Sequence, residues 1–240
     1  MFFVFDIETI PDFDFIRHVL ENPDDDDDLL LEQASEELAR NQAGFLPPIY
    51  HKMVAWVGLW IDNLGGPKKK VSWNGDDEKE GLNELFRTLN TYKDFGLIHH
   101  NGRGFDLPLI TYRAMKHRLQ MPLRLNKYEI KYRYSNQNID LVDEFSNYGA
   151  SSWPKLKHLG YLIDIPFKQT GEGHEVLDMY REGEIDKIEH YCYEDVMGTY
   201  IVWLHLKYTV GDIKEQNFKN LSERAHKKLE EIQSLSNSDK

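Results

Sequence analysis

Runs of apolar residues predict three strands in the first third of the chain. Residues 2–8 read as a strand, residues 53–61 (MVAWVGLWI) as a second with aromatic and β-branched side chains, and residues 70–73 (KVSW) as a short third. A turn of two glycines and a proline lies between the last two runs. We therefore predict that the three strands form a meander.

Further along the chain, apolar residues recur mainly at helical spacing. Residues 78–92 and a segment around residues 107–118 are predicted helices, and residues 95–101 between them are a predicted strand. One long helix is predicted at residues 184–208. Its less polar stripe consists of Ile188, Cys192, Val196, Thr199 and Trp203. This alternation of strands and helices indicates an α/β fold in which a mixed sheet is flanked by helices.

Two charged segments stand apart from this pattern. We interpret the acidic run Asp24 to Asp28 as a solvated loop, because consecutive like charges repel one another and stay hydrated; a binding tail is the alternative. The Lys- and Glu-rich segment from about residue 213 to 240 predicts an exposed helix with a frayed end. We therefore expect one main domain at residues 1–210 and a charged helical tail at residues 211–240.

Composition narrows the possible classes of protein. The chain has 240 residues, a formal net charge of −12 and a single cysteine, Cys192, so no internal disulfide is possible. No apolar run approaches the ~20 residues of a membrane span, and the first residues lack the features of a signal peptide. We expect a cytoplasmic protein without a membrane partner. The negative charge argues against broad binding of duplex nucleic acid, but it permits local contact with a few nucleotides.

Two acidic residues interrupt the first predicted strand. Side chains at positions i and i+2 of a strand point to the same face, so Asp6 and Glu8 would project together. Two unpaired anions repel each other and are costly to remove from water, and a bound cation is the usual remedy. Residues 76–78 also read D-x-E, in a predicted polar loop, so ordinary surface charge is the alternative reading of such a pair.

A third acidic residue follows the strand predicted at residues 95–101. Asp106 comes after a loop that contains Gly102 and Gly104, and these glycines would let the backbone approach a ligand closely. The alternative is that Asp106 caps the helix that follows it.

The long helix carries a fourth candidate. Tyr191 and Asp195 are four residues apart and share a face beside the apolar stripe. An ordinary Tyr–Asp hydrogen bond is the alternative, since Tyr208 and Asp212 have the same spacing at the end of the helix.

Three short motifs together resemble a known family of nucleases. FDIET, NGRGFD and YCYED, in this order and separation, are similar to the three motifs of the DEDDy branch of 3′-to-5′ exonucleases. The resemblance is to the proofreading exonuclease domain of family B DNA polymerases, particularly its stand-alone relatives, and it covers residues 1 to about 210. The acidic run and the pair Tyr193-Glu194 depart from the family pattern, but no metal-ligand position is lost.

The resemblance implies a ribonuclease H-like fold, with helices on both faces of a mixed sheet, and a site for two divalent ions, Mg²⁺ or Mn²⁺. Asp6, Glu8 and Asp195 would hold one ion, and Asp6 would bridge to the second, with Asp106 near it through water. Oxygen ligands suit these ions. The implied role of Tyr191 is to orient the attacking water, because its ordinary pKa makes it a poor base at neutral pH.

Four residues beside these motifs are candidate contacts to the terminal nucleotide: Ile7, Thr9, Asn101 and Phe105. For Ile7 and Phe105, packing in the core is an equal alternative. Three histidines near the motifs are expected to pack or to lie at the surface rather than to bind metal: His51, His99 and His100.

The resemblance implies hydrolysis of single-stranded DNA from its 3′ end, with release of nucleoside 5′-monophosphates. An exoribonuclease is the main alternative, because nothing in the sequence separates deoxyribose from ribose. A catalytically idle binding module is disfavoured because all four carboxylates and Tyr191 are present. A phosphatase of the haloacid dehalogenase type would need an aspartate in place of Glu8 and Ser or Thr in place of Ile10.

The expected partners are single-stranded 3′ ends, DNA more than RNA. The exonuclease-like region fills nearly the whole chain, so we expect no attached polymerase. A polymerase or a repair protein would then be a partner in trans.

Overall fold

A five-stranded sheet forms the centre of the computed structural model, which describes residues 1–22, 24, 26–39, 44–165 and 174–238. The strands are β1 (Phe2–Pro11), β2 (His51–Ile61), β3 (Pro67–Asn74), β4 (Gly96–His99) and β5 (Asn138–Asp140). They lie in the order β3-β2-β1-β4-β5.

The sheet is mixed. β1 pairs antiparallel with β2, and β2 pairs antiparallel with β3, so the predicted meander is confirmed. β4 runs parallel to β1, and β5 runs parallel to β4, which brings the carboxyl ends of these three strands to one edge of the sheet. β4 pairs only with residues 2–4 of β1, so the part of β1 that carries Asp6 and Glu8 extends past it.

Ten α-helices lie within the described residues. They are α1 (Phe13–Leu20), α2 (Asp27–Glu37), α3 (Glu78–Leu89), α4 (Asp106–His117), α5 (Tyr128–Lys131), α6 (Leu141–Phe145), α7 (Leu156–Leu162), α8 (His174–Arg181), α9 (Ile185–Thr209) and α10 (Glu215–Ser238). None of the helices in this part of the chain combines the length and the apolar character that crossing a bilayer requires.

Hydrophobic cores cover both faces of the sheet. On one face, Phe3, Phe5 and Ile7 of β1 pack in a cluster with residues of α3 and α4. On the other face, Val4 belongs to a cluster with residues of α9 and α10. Because side chains alternate along a strand, Asp6 and Glu8 point to the face that α9 covers. The predicted mixed sheet with helices on both faces is confirmed.

The apolar stripe of α9 is also confirmed. Each of its residues is buried, and Cys192 and Val196 pack in the same cluster as Val4. α9 therefore lies across the sheet with one face packed against β1 and β2, which puts Tyr191 and Asp195 close to the carboxyl-terminal half of β1.

The charged tail differs from its prediction. α10 buries Ala225, Leu229 and Ile232 in the cluster that it shares with α9, so the prediction of an exposed helix is wrong for this face. The many Lys and Glu residues between these positions concealed the helical spacing of the apolar ones. The predicted frayed end falls on residues 239–240, which lie outside the described residues, and the domain boundary at residue 210 stays a prediction.

The acidic run is only partly a loop. Asp26 caps α2 by accepting hydrogen bonds from the backbone N–H groups of Asp28 and Leu29, and Asp27 and Asp28 form the first turn of this helix. The prediction of a loop is therefore wrong for Asp27 and Asp28, because acidic side chains are stabilised at a helix N-terminus. Asp24 is exposed, and Asp25 lies outside the described part of the chain.

Candidate active site

The acidic pair of β1 lies next to an irregularity in the sheet. Glu8 faces Ala55 of β2 whereas Thr9 faces Met53, so β2 contains one extra residue at this point. Such a bulge turns the neighbouring side chains away from their regular directions. Glu8 is buried and Asp6 is half-buried, and the thiol of Cys192 on α9 donates a hydrogen bond to the backbone oxygen of Asp6 at 3.3 Å.

Asp106 is the first residue of α4 and is buried. The N-cap position belongs to Phe105, and no side chain caps the helix, so the alternative of Asp106 as a cap is wrong. Its Oδ1 has no hydrogen-bond partner among the described residues. Burial is the largest cause that raises the pKa of Asp106, to about 6. A buried carboxyl oxygen without a partner is rare in folded proteins and needs an explanation.

The four carboxylates and Tyr191 act on one another electrostatically. Burial raises the pKa of Asp6 well above its usual range, and the charges of Glu8, Asp106 and Asp195 raise it further. The pKa of Glu8 is raised by burial and then by Asp195. Burial also raises the pKa of Tyr191, followed by the charges of Asp195, Glu8 and Asp6. The structure thus brings these five predicted residues together, from β1, α4 and α9; we call Asp6, Glu8, Asp106 and Asp195 the carboxylate site.

The donor set of this site fits hard divalent cations. Within the described part of the chain, Asp6, Glu8 and Asp106 form no ion pair with Lys, Arg or His, although burial of a charge ordinarily requires one. One ligand atom each of Asp6, Glu8 and Cys192 lies within 4.8 Å of the others. The pKa of the Cys192 thiol is raised by burial and by the nearby carboxylates, so it is a proton donor here and the oxygens are the available ligands.

The loop between β4 and α4 is held from the end of β5. The carboxylate of Asp140 accepts hydrogen bonds from the backbone N–H groups of Asn101 and Arg103, at 2.8 and 3.0 Å. A Cβ at Gly102 would lie 2.6 Å from the ring of His99, and one at Gly104 would lie 2.6 Å from Oδ1 of Asn101. The absence of a Cβ at these glycines therefore makes room for side chains of the protein itself. From the sequence we had predicted that it makes room for a ligand.

The predicted nucleotide contacts have different surroundings. Ile7 is buried in the core cluster, and Phe105 packs against that cluster. The hydroxyl of Thr9 lies 3.0 Å from Nδ1 of His51, whose Nε2 lies 3.2 Å from the carbonyl oxygen of Leu46. Burial lowers the pKa of His51 to about 4, so its ring is neutral and its Nδ1 accepts from Thr9.

The sequence did not reveal an aromatic group beside Thr9. The rings of Phe45, His51 and Phe105 contact one another, with centroids 5.2 to 5.7 Å apart, and Phe45 is 51% exposed. Nothing in the spacing of Phe45 and His51 along the sequence separated them from core residues. Cys192 was likewise assigned only to the apolar stripe. Its position next to Tyr191 in the sequence was the one signal that it lies beside the carboxylates.

The other two histidines pack inside the protein, as expected. Nε2 of His99 lies 2.7 Å from Oδ1 of Asn138, and Nε2 of His100 lies 3.0 Å from the carbonyl oxygen of Pro154. Neither of these two hydrogen bonds involves a residue of the carboxylate site.

A second group of charges lies beyond the end of β1; we call Asp12, Glu78, Arg113, Lys116 and His117 the ion-pair cluster. The first three are buried, and Lys116 is exposed. Arg113 of α4 donates to Glu78 through Nε and Nη2, at 2.7 and 2.6 Å, and to Asp12 through Nη1 at 2.5 Å. Lys116 also binds Asp12, and His117 binds Glu78. The prediction of a polar loop at residues 76–78 is wrong for Glu78, which begins α3 and is buried because Arg113 neutralises it.

One family model matches the chain, at residues 43–239. It describes predicted 3′-5′ exonucleases related to the exonuclease domain of PolB. The match includes Asp106, Tyr191 and Asp195 and begins after β1, so Asp6 and Glu8 rest on the sequence motif and on the structure. No curated protein matches the chain.

Exonuclease domains of this kind typically use divalent metal ions, and their ribonuclease H-like fold agrees with the mixed five-stranded sheet flanked by helices. The match covers most of the chain, from residue 43, ahead of β2, to residue 239. The chain therefore belongs to the family of predicted 3′-5′ exonucleases related to the exonuclease domain of PolB.

Proposed function

We propose that the protein is a metal-dependent exonuclease that removes nucleotides from the 3′ end of single-stranded DNA and releases nucleoside 5′-monophosphates. The observation that carries the proposal is the burial of Asp6, Glu8 and Asp106 without an ion-pair partner among the described residues. A structural cluster of charges would be neutralised, as the ion-pair cluster of the same molecule is.

The carboxylate site is where two Mg²⁺ or Mn²⁺ ions would bind. Asp6, Glu8 and Asp195 would hold one ion, and Asp6 and Asp106 would hold the other. Two such ions supply an activated water and stabilise the charge that develops on the departing 3′ oxygen. The free Oδ1 of Asp106 and the oxygen-only donor set support this assignment.

Tyr191 orients the attacking water in this proposal. Its pKa is raised by burial and by the neighbouring carboxylates, so the phenol keeps its proton and acts as a hydrogen-bonding group rather than as a base. Its place one residue before Cys192, whose thiol binds the backbone of Asp6, keeps the ring beside β1.

The terminal nucleotide would lie against Thr9, Asn101 and Phe105. His51 fixes the hydroxyl of Thr9, and Asp140 fixes the backbone of Asn101, so both are held in position before the substrate arrives. Phe105 and the exposed Phe45 offer an aromatic surface for a base. Because Ile7 is buried, we assign it to packing rather than to contact with substrate.

The proposed partners are single-stranded 3′ ends, of DNA more than of RNA, and a polymerase or repair protein that would act in trans. The cytoplasmic location expected from the sequence likewise stays a prediction.

The test is degradation of 5′-labelled single-stranded DNA and RNA of equal sequence, with Mg²⁺, Mn²⁺ or EDTA. We expect metal-dependent shortening from the 3′ end by the wild type, none by Asp195→Ala, and normal shortening by Asp212→Ala. The last variant is a matched control, because Asp212 also lies four residues after a tyrosine but pairs with Lys207 at the end of α9.

Two results would change the conclusion. Faster shortening of RNA than of DNA would identify an exoribonuclease. Absence of cleavage of either strand in every metal, by a folded protein that binds DNA, would identify an idle binding module.

A further inference from the structure

Four tyrosines near the loop between β4 and α4 form a continuous row on the surface. The rings of Tyr128 and Tyr132 are stacked, with centroids 5.1 Å apart. Tyr132 meets Tyr134 edge to face at 5.7 Å, and Tyr134 contacts Tyr148 at 4.6 Å. We call these four residues the tyrosine row.

The tyrosine row is open to solvent. Tyr128 is 70% exposed, Tyr134 is 59% exposed and Tyr132 is 43% exposed. Contiguous aromatic surface of this kind is uncommon on folded proteins and ordinarily marks an interaction site. The rings contact one another without being part of the hydrophobic clusters that cover the sheet.

The segment that carries Tyr128, Tyr132 and Tyr134 is positively charged, opposite to the whole chain, whereas Tyr148 at the other end of the row donates a hydrogen bond to Glu144 at 2.9 Å. Residues 124–134 contain four basic residues and one acidic residue, in a protein whose net charge is −12. Lys127 and Lys131 are exposed and form no ion pair with any residue that the structure describes. Glu129 lies 3.8 Å from Arg124, so its charge is already partnered. The end of the row with Tyr128 and Tyr132 thus has positive charge beside it that is free to meet an anion.

The row is connected to the loop that carries Asp106. Nη2 of Arg103 donates to the carbonyl oxygens of Arg133 and Asn138, at 3.3 and 2.6 Å. Arg103 and Arg133 both pair with the carboxylate of Asp143, which lies in α6 just before Tyr148. The segment that presents Tyr132 and Tyr134 is therefore fixed to the loop leading to the carboxylate site.

We propose that the tyrosine row is a stacking platform for the bases of a single-stranded polynucleotide whose 3′ end occupies the carboxylate site. This inference rests on the proposed function. Aromatic rings accept any base, and flanking lysines attract the phosphates, so the platform binds single strands without selecting a sequence. The unpaired positive charge beside Tyr128 and Tyr132 favours this anionic occupant over an apolar or basic protein surface.

The experiment measures binding by fluorescence anisotropy in EDTA, where no cleavage occurs, with a 5′-labelled oligothymidylate of about twelve nucleotides. We expect Tyr132→Ala and Tyr134→Ala each to raise Kd about tenfold, the effect typical of one lost base–aromatic stack. Tyr134→Phe keeps the ring and should bind like the wild type. Tyr161→Ala is the matched control, because Tyr161 is 50% exposed on α7 and is not one of the four rings of the row.

Three results would overturn the platform: an unchanged Kd in both alanine variants, equal affinity for an abasic oligonucleotide of the same length, or no binding by the wild type. Thermal melting of each variant confirms that it is folded.

A second measurement separates this inference from the exonuclease activity. With an active enzyme, Tyr132→Ala should raise KM for the long oligonucleotide about tenfold and leave kcat and the KM of a dinucleotide unchanged. If the wild type never cleaves but binds the oligonucleotide, and the alanine variants lose this binding, the platform is supported and the exonuclease is rejected. Normal KM values in the variants of an active enzyme would reject the platform alone.

Discussion

The carboxylate site and the ion-pair cluster lie at opposite ends of the same helix, α4, and both contain buried acidic side chains. They differ in whether a cation pairs with these acids. In the ion-pair cluster, Arg113 binds both Asp12 and Glu78, so each anion has a cation within hydrogen-bonding distance. In the carboxylate site, the neighbours of Asp6 and Glu8 are other carboxylates, and the pKa of each is raised by burial and then by these neighbours.

We infer that this difference separates a structural cluster from a functional one. Buried charges that are fully paired hold elements together, and removal of one partner leaves an uncompensated charge. Asp106 and Arg113 are seven residues apart, two turns of α4, so they lie on the same side of the helix. The ion-pair cluster therefore anchors the helix that presents Asp106 to the carboxylate site.

The largest expected difference between the two regions is in activity. Asp6→Asn should lower the cleavage rate about a thousandfold, since a lost metal ligand removes several kcal/mol of transition-state stabilisation. Asp12→Asn should keep most of the rate at temperatures below its melting point, because Asp12 binds Arg113 and Lys116 and caps α1, and makes no contact with the carboxylate site in these bonds. Initial rates on 5′-labelled DNA measure both. Equal losses in the two variants would break the comparison.

The next largest effect is on stability. Arg113→Met should lower the free energy of unfolding by about 3–5 kcal/mol, because it leaves Asp12 and Glu78 buried without their main partner. Urea denaturation measures the loss. Arg87→Met removes an exposed pair with Glu84 and should change stability by less than about 1 kcal/mol. A similar small change in Arg113→Met would show that the cluster is not structural.

Metal ions should stabilise the protein through the carboxylate site. At about 100 times its Kd, Mn²⁺ should add about 2.7 kcal/mol to the free energy of unfolding, because it binds the folded arrangement of acids. Asp6→Asn should show little of this gain, yet in EDTA it should be more stable than the wild type, since it removes one of several repelling charges. Thermal melting with Mn²⁺ and with EDTA tests both effects. Destabilisation of Asp6→Asn in EDTA would contradict the assignment.

The smallest expected effect is the pH dependence of the ion-pair cluster. Burial alone would raise the pKa of Asp12, but hydrogen bonds from Lys116 and Arg113 outweigh it and hold the pKa below its usual value. The stability that Asp12 contributes is therefore complete above the unfolded pKa, near 3.9, and is lost as the pH falls through the lower folded pKa.

The urea midpoint should accordingly fall less between pH ~5 and ~2 in Asp12→Asn than in the wild type. Asp14→Asn is the control, because Asp14 is 97% exposed and should keep the wild-type slope. If the urea midpoint of Asp12→Asn depends on pH as strongly as that of the wild type, Asp12 does not stabilise the fold through its charge.

Much of the fold could be predicted from local patterns. The apolar runs of β1 and β2 and the stripe of α9 identified the strands and the long helix, because the periods of strands and helices are properties of neighbouring residues. The ordered motifs likewise proposed Asp6, Asp106 and Asp195 as site residues, and the structure brings them together. α10 was harder, since its surface charges outnumber the apolar residues that pack against α9.

What each acidic residue does was decided by tertiary structure. Asp6 and Glu8 have the same D-x-E spacing as Asp76 and Glu78, and only the apolar run before Asp6 separates the two short sequences. Glu78 is neutralised by Arg113, 35 residues away, and Asp12 by the same arginine at a separation of 101 residues. The tyrosine row likewise depends on the contact between Tyr134 and Tyr148 across β5 and α6. The sequence by itself determined which residues could carry charge or stack; the packing of distant elements decided which charges are neutralised, because the energy of a buried charge depends on its neighbours in space.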